Sequence, residues 1–272
     1  MPKHLRATVL TLAILAVLIP ASILAIPSAN FYQEGGEIFD DWDICRTNAF
    51  GEDGFFRAST SSFYPIIVGE SLGQNAGQAY RIGQQFFDTY RDTHQTAEEI
   101  FAFVRDKVRY TSDESQFGFA EFALNADELA LTIEDNGVAH GDCEDYALLL
   151  AVMYKGAGFR SAIVLAPEHA AALVYLPGYR KANRTLSVDG EAGWIWAEAT
   201  GGNNPLGWMP EEFLGTELEV YEVEDEALTK GEPPDKPSAT ITADSGGSGI
   251  HISPFFIVIG LLFLISLFRR RR

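Results

Sequence analysis

Apolar positions follow three patterns along the 272-residue chain, and each predicts a different kind of element. The first pattern is unbroken. Residues 7–26 carry no charge and follow Lys3, His4 and Arg6. A stretch of this length reads either as a secretory signal peptide or as an N-terminal membrane anchor. Residues 250–268 are again almost wholly apolar, and Arg269, Arg270, Arg271 and Arg272 follow directly. About 19 residues suffice to cross a bilayer as a helix, and a terminal arginine cluster reads as a cytoplasmic tail at 269–272.

The second pattern is helical. Tyr80, Ile82, Phe86, Phe87 and Tyr90 predict a helix over 74–91. Thr96-Ala97-Glu98-Glu99 reads as a capping box for a second, continued by Ile100, Phe103, Val104 and Val108. Residues 119–131 offer a short helix and 133–142 a loop. A further helix runs from Cys143 to about Lys155 and stops at Gly156 and Gly158.

The third pattern is extended. Phe63–Val68, Ser161–Leu165, His169–Leu176 and Trp194–Ala199 read as strands. Helices come first and most strands later, which predicts an α+β domain with an antiparallel sheet. That domain is expected over 73–225, behind an N-terminal extension at 30–72. In the extension, Gly35-Gly36, Gly51 and Gly54 are turn signals. Asp40, Asp41 and Asp43 lack calcium-loop spacing and read as a solvated loop. Residues 226–249 are rich in Pro, Gly, Ser, Thr and Asp and read as a disordered stalk before the C-terminal span.

Charge adds a direction. Setting aside Lys3, Arg6 and the four terminal arginines leaves 14 of the 20 basic residues against all 38 acidic ones, a balance of −24. Such a body does not suit nucleic-acid binding, which wants a basic face. Basic flanks at the outer ends of both apolar segments place this body outside the cell membrane.

Candidate chemistry centres on Gly141-Asp142-Cys143-Glu144-Asp145. A cysteine in the first turn of a helix meets free N–H groups and positive potential, which favour a thiolate nucleophile. The other cysteine, Cys45, stands alone, so neither a disulfide framework nor a CxxC metal knuckle is evident. A zinc site from His140, Asp142, Cys143 and Asp145 lacks the usual spacing. A cysteine nucleophile needs a histidine base and a third group to orient it. His4 and His251 lie by the apolar ends, His94 has no evident partner, and His140 stands on the incoming loop, which leaves His169. Pairing 169–176 antiparallel with 191–198 sets Leu176 opposite Glu191, Leu173 opposite Trp194, Ala171 opposite Trp196 and His169 opposite Glu198.

The segments around these residues resemble the transglutaminase-like superfamily, the papain-related cysteine enzymes. GDCEDYALLLAVMYKGAGFRSAIVL resembles its nucleophile segment, and TAEEIFAFVRDKVRYTSD the helix and tyrosine before it. HAAALVYLPG resembles the histidine strand, and WIWAEATGGNNPLGW the strand of the third residue. The resemblance covers about 73–212. It implies Cys143 as nucleophile, His169 as base, Glu198 as orienter and the Cys143 N–H as an oxyanion donor. Many members carry Asp where Glu198 stands; Glu resembles archaeal membrane-linked versions. The implied activity is attack on amide bonds of a protein or peptide substrate through a thioester, as peptidase, amidase or acyl transferase, with no cofactor or metal. The alternative is a non-catalytic cell-surface module that uses the same fold to bind protein.

Overall fold

The computed structural model describes residues 30–42, 44–47, 63–72, 77–223 and 239–243. Both apolar segments, 7–26 and 250–268, lie outside them. Among the described residues no helix is long and apolar enough to cross a membrane.

One helix organises the domain. Cys143–Gly156 is apolar around almost its whole circumference, and Leu148 through Tyr154 are fully buried. A helix without a polar face belongs in the middle of a core. It lies against one face of a six-stranded sheet and beneath the helices Gln78–Thr89, Thr93–Lys107 and Ala126–Asn136. Close approach to Gln78–Thr89 depends on two glycines. A Cβ on Gly83 would stand 2.0 Å from the Met153 carbonyl oxygen, and one on Gly156 would stand 2.1 Å from that of Tyr80. Two tyrosine hydroxyls tie the central helix to neighbouring backbone: Tyr146 donates to the Val108 carbonyl at 2.7 Å and Tyr154 to that of Ala97 at 3.2 Å.

Strands β5 (Ser161–Ala166), β6 (His169–Tyr175), β7 (Leu186–Val188), β8 (Glu191–Ala197), β9 (Glu217–Glu222) and β10 (Ala239–Thr242) form the sheet in the order β10-β9-β5-β6-β8-β7. Every neighbouring pair is antiparallel. The sheet buries both faces. Ile163, Ala172, Val174 and Ile195 meet the helices, while Val164, Leu173, Trp194, Trp196 and Phe213 form a second core on the far side. Mixed helix and sheet with this order agrees with the α+β expectation.

Several local expectations are corrected. Phe63–Val68 belongs to a helix, Phe63–Leu72, not a strand. Its β-branched run is outweighed by tertiary burial: Ile67, Val68, Glu70 and Ser71 are all enclosed, as only a helix packed on several sides allows. Pro65 falls in the first turn, where no N–H is needed. The helix expected to start at Thr96 starts at Thr93. Asp92 is the cap and accepts from Gln95 N at 2.8 Å, while Thr96 bonds back to the Asp92 and Tyr90 carbonyls. The capping box belongs instead to Asn125 and Glu128, which open Ala126–Asn136. The loop 133–142 contains strand β4 (Ala139–Gly141), parallel to β3 (Val108–Tyr110).

The extension is part of the fold. Strands β1 (Tyr32–Glu34) and β2 (Glu37–Phe39) form a hairpin across Gly35-Gly36. Asp40, expected in a solvated loop, is fully buried; it accepts from Trp42 N and Ile44 N and pairs with Arg46 at 2.7 Å. Within the segment expected to be a disordered stalk, β10 pairs with β9 at the sheet edge and buries Ala239 and Ile241.

Candidate active site

The site forms at the end of the sheet where the central helix begins. Gly141 closes β4, Asp142 caps the helix in an extended conformation, and Cys143 is the first helical residue. A Cβ at Gly141 would stand 2.5 Å from the Asp145 carboxylate, so this approach is open only to glycine. Asp145 reaches back to accept from Asp142 N at 3.3 Å and also accepts from Leu124 N at 2.8 Å. These bonds fix the entry of the chain into the helix, and with it the Cys143 backbone N–H and thiol.

His169 opens β6 after a tight turn in which Glu168 adopts a left-handed φ of 53°. Its ring stacks on Phe213 at 5.1 Å between centroids, nearly parallel. Nε2 lies 3.2 Å from Glu198 Oε1, close enough for an ion pair but without the alignment of a hydrogen bond. Burial pulls the His169 pKa down. The neighbouring Cys143 thiol and Glu198 carboxylate outweigh it, and the pKa is pushed up to about 10. The proton of this group therefore resides on imidazole at neutral pH. Glu198 is itself held below its ordinary range: burial works against ionisation, but the nearby His169, with the bonds from Thr200 and Trp196, prevails.

The pairing of β6 with β8 differs from the expected register by two residues. Leu173 stands opposite Trp196, and Tyr175 opposite Trp194. An even offset leaves every side chain on its expected face. His169 and Glu198 thus meet diagonally, at the next position along the same face, within reach of long side chains.

Further residues complete the arrangement. Trp196 Nε1 donates to Glu198 Oε2 at 3.1 Å and Thr200 Oγ1 to Oε1 at 2.6 Å, which locks the carboxylate. Their signal was positional: Trp196 shares the strand face of Glu198, and Thr200 is its next residue of the same parity. Tyr110, 58% exposed, stands near Cys143; burial first, then the charges at Cys143 and Asp142, push its hydroxyl up to about 12. Glu144 and Asp145 are fully buried, not part of a solvated first turn, and Glu144 accepts from the Cys143 thiol at 3.2 Å.

The other candidates sit elsewhere. His140 is exposed and bonds to Thr111 Oγ1 at 2.9 Å through Nδ1. His94, expected to have no partner, stands edge-on to Tyr179. Cys45 is half-buried with its sulfur 3.9 Å from the Thr47 hydroxyl, and both cysteines are free thiols.

Imidazole and carboxylate thus meet near the start of the buried helix that carries the thiol, inside the stretch that matches a known family. Residues 80–212 match the family model of the transglutaminase-like superfamily. The chain carries a transglutaminase-like domain. No curated protein and no solved structure matches the chain. The matched stretch of this transglutaminase-like domain runs from the helix that packs on Gly156 to the turn before Phe213, and so includes Cys143, His169 and Glu198. The hairpin β1–β2 and the strands β9 and β10 lie outside it.

Proposed function

We propose that this is a membrane-anchored, outward-facing cysteine enzyme acting on amide bonds through a thioester. The observation that carries the reading is the approach of His169 Nε2 to Glu198 Oε1 at 3.2 Å, on a ring whose pKa is raised by Cys143 and Glu198 together. In the first half-reaction Cys143 Sγ attacks the amide carbonyl carbon, and the proton of the thiol resides on His169. The carbonyl oxygen gains the negative charge. The Cys143 N–H, unpaired by the helix at its first position, is placed to stabilise it. Collapse of this intermediate breaks the C–N bond, and His169 gives its proton to the departing amine. A thioester remains. Water or a second amine then attacks it, His169 takes that nucleophile's proton, and the sulfur leaves. Glu198 does not move protons in this scheme; held by Trp196 and Thr200, it fixes the ring and favours its charged form.

The substrate is a protein or peptide amide, with hydrolysis favoured over crosslinking. Anchoring by residues 250–268, and by 7–26 where that segment is retained, would present the acidic body outward. Mass mapping after brief treatment with a peptide thioester probe tests the chemistry. The probe should be found on Cys143 and not on Cys45. His169→Ala should abolish the adduct, while Glu198→Gln should slow its formation by roughly 10²-fold or more and leave it detectable. Capture on Cys45, or full labelling of His169→Ala, would overturn the proposal. For orientation, protease added to intact cells should digest the body and spare a tag placed after Arg272.

A further inference from the structure

The carboxylate beside His169 does not by itself set the plane of the imidazole. His169 is the first residue of β6, directly after the turn at Glu168, and its side chain is half-buried. Nε2 stands 3.2 Å from Glu198 Oε1 but out of hydrogen-bond alignment. A carboxylate so placed attracts a charged ring, yet attraction without directional bonding leaves rotation of the ring open.

Phe213 closes that freedom. Its ring lies 5.1 Å from the imidazole, centroid to centroid, with the two planes 11° apart. Trp196 stacks in turn on Phe213 at 5.5 Å and 28°, and its Nε1 donates to Glu198 Oε2 at 3.1 Å. The contacts therefore form a closed circuit: His169 on Phe213, Phe213 on Trp196, Trp196 to Glu198, and Glu198 back to His169. Both aromatic residues are buried, Phe213 to 8% exposure and Trp196 to 0%. Phe213 is also held from behind. It ends the short helical turn Glu211–Phe213, and its carbonyl accepts from Thr216 Oγ1 at 2.7 Å. Gly215 N donates to the Ala243 carbonyl at 3.0 Å, and Phe213 packs in one core with Leu218 and Val220 of β9 and Ala239 and Ile241 of β10. The stretch that matches the family ends at residue 212, so the ring beneath His169 and the strands that back it come from outside that stretch.

We propose that Phe213 is a positioning residue for His169: its face fixes the plane of the imidazole and favours the charged ring over the neutral one. A cation over an aromatic face is attracted by the negative potential of the ring, and this adds to the effects of Cys143 and Glu198, the charged groups that raise His169. The inference rests on His169 as the base of the proposed reaction. It gives β9 and β10 a part in that reaction, since they hold the ring that holds the base.

NMR titration of the His169 ring protons, on the full-length chain in detergent, tests this without enzymatic activity. Phe213→Leu keeps an apolar side chain and removes the aromatic face. It should lower the His169 pKa by about half a unit or more. Pentafluorophenylalanine introduced at position 213 keeps the shape of the ring and reverses the polarity of its face, and should lower the pKa at least as far. Phe213→Tyr keeps both shape and polarity and should titrate as wild type. A role in packing alone has another signature, a lower melting temperature for Phe213→Leu with the titration of His169 unmoved in every variant, and that result would overturn the proposal. The fluorinated chain decides alone if Phe213→Leu does not fold. With the peptide thioester probe, Phe213→Leu should slow capture on Cys143 by about tenfold or more at an unchanged half-saturating probe concentration. Capture as fast as wild type would overturn the positioning role. Absence of capture in wild type as well would count against the enzyme reading instead, and the titration would still decide whether Phe213 favours the charged ring.

Discussion

Two buried clusters of acid in this domain solve the same electrostatic problem in opposite ways. In one, the fully buried Arg46 guanidinium meets Asp40 at 2.7 Å, Glu70 at 3.1 Å and Glu128 at 3.1 Å, and also donates to the Ala123 carbonyl. In the other, beside Cys143, the carboxylates of Asp113, Asp142, Glu144 and Asp145 meet one another, backbone N–H groups and the thiol, with no ion pair to a basic side chain among the described residues. A buried charge is tolerable when paired and bonded, and expensive when not. The first cluster is complete as it stands and serves to join the N-terminal hairpin to the helices. The second sits against the sulfur proposed as nucleophile. Structural acid is paired by the chain itself; acid beside the reactive group tends instead to keep its protons.

The sharpest way to break this contrast is to remove the cation the chain supplies. Arg46→Met leaves Asp40, Glu70 and Glu128 buried together and should cost about 3–5 kcal/mol of stability in urea unfolding. A loss under ~1 kcal/mol would mean the first cluster is no better paired than the second.

Acidity should reveal the buried acid. Burial, ahead of the other contributions, pushes Glu70 and Glu121 up to about 8 and Asp113 and Asp127 up to about 7. The folded state thus binds more protons than the unfolded chain between about pH 4 and 8, and stability falls as pH rises through that window. His169 acts in the same direction, since its raised pKa adds stability that is lost as pH rises toward about 10. Glu198, with its lowered pKa, opposes only at the acid end. The melting temperature should drop by several degrees between pH 5.5 and 8.5. A flat or rising profile would show that these acids are compensated.

Removing a single repelling charge is a smaller step with the opposite sign to Arg46→Met. At pH 9, Glu121→Gln should gain ~1–3 kcal/mol, because the carboxylate is then forced to ionise while buried. The finest comparison is with the paired charge of the site. Glu198→Gln should lower the His169 pKa from about 10, read by NMR titration of the ring protons, since Glu198 is one of the groups that hold it up. An unmoved titration would place the whole effect with Cys143.

What the sequence disclosed follows the range of the interactions involved. The central helix, the strands β5, β6 and β8 and the α+β class are written in local periodicity. The three side chains named for the site do lie together. That survived an error of two residues in pairing because face depends only on parity. Long-range burial was not legible. Nothing adjacent to Asp40 announces Arg46 pairing with Glu70 and Glu128, and Glu144 and Asp145 look like an ordinary acidic first turn. The short alternation Ala239-Thr240-Ile241-Thr242 was hidden by the Pro, Gly and Ser around it.

That last strand sets the reach of the proposed enzyme. A free stalk of 24 residues from 226 to 249 would extend up to roughly 80 Å at about 3.3–3.6 Å per residue. With β10 held in the sheet, only residues 244–249 separate the domain from Ile250. Those six residues span at most roughly 20 Å. If the following segment is anchored, the catalytic groups patrol a thin layer over the lipid, and a substrate must be carried on the same surface or lean down into it.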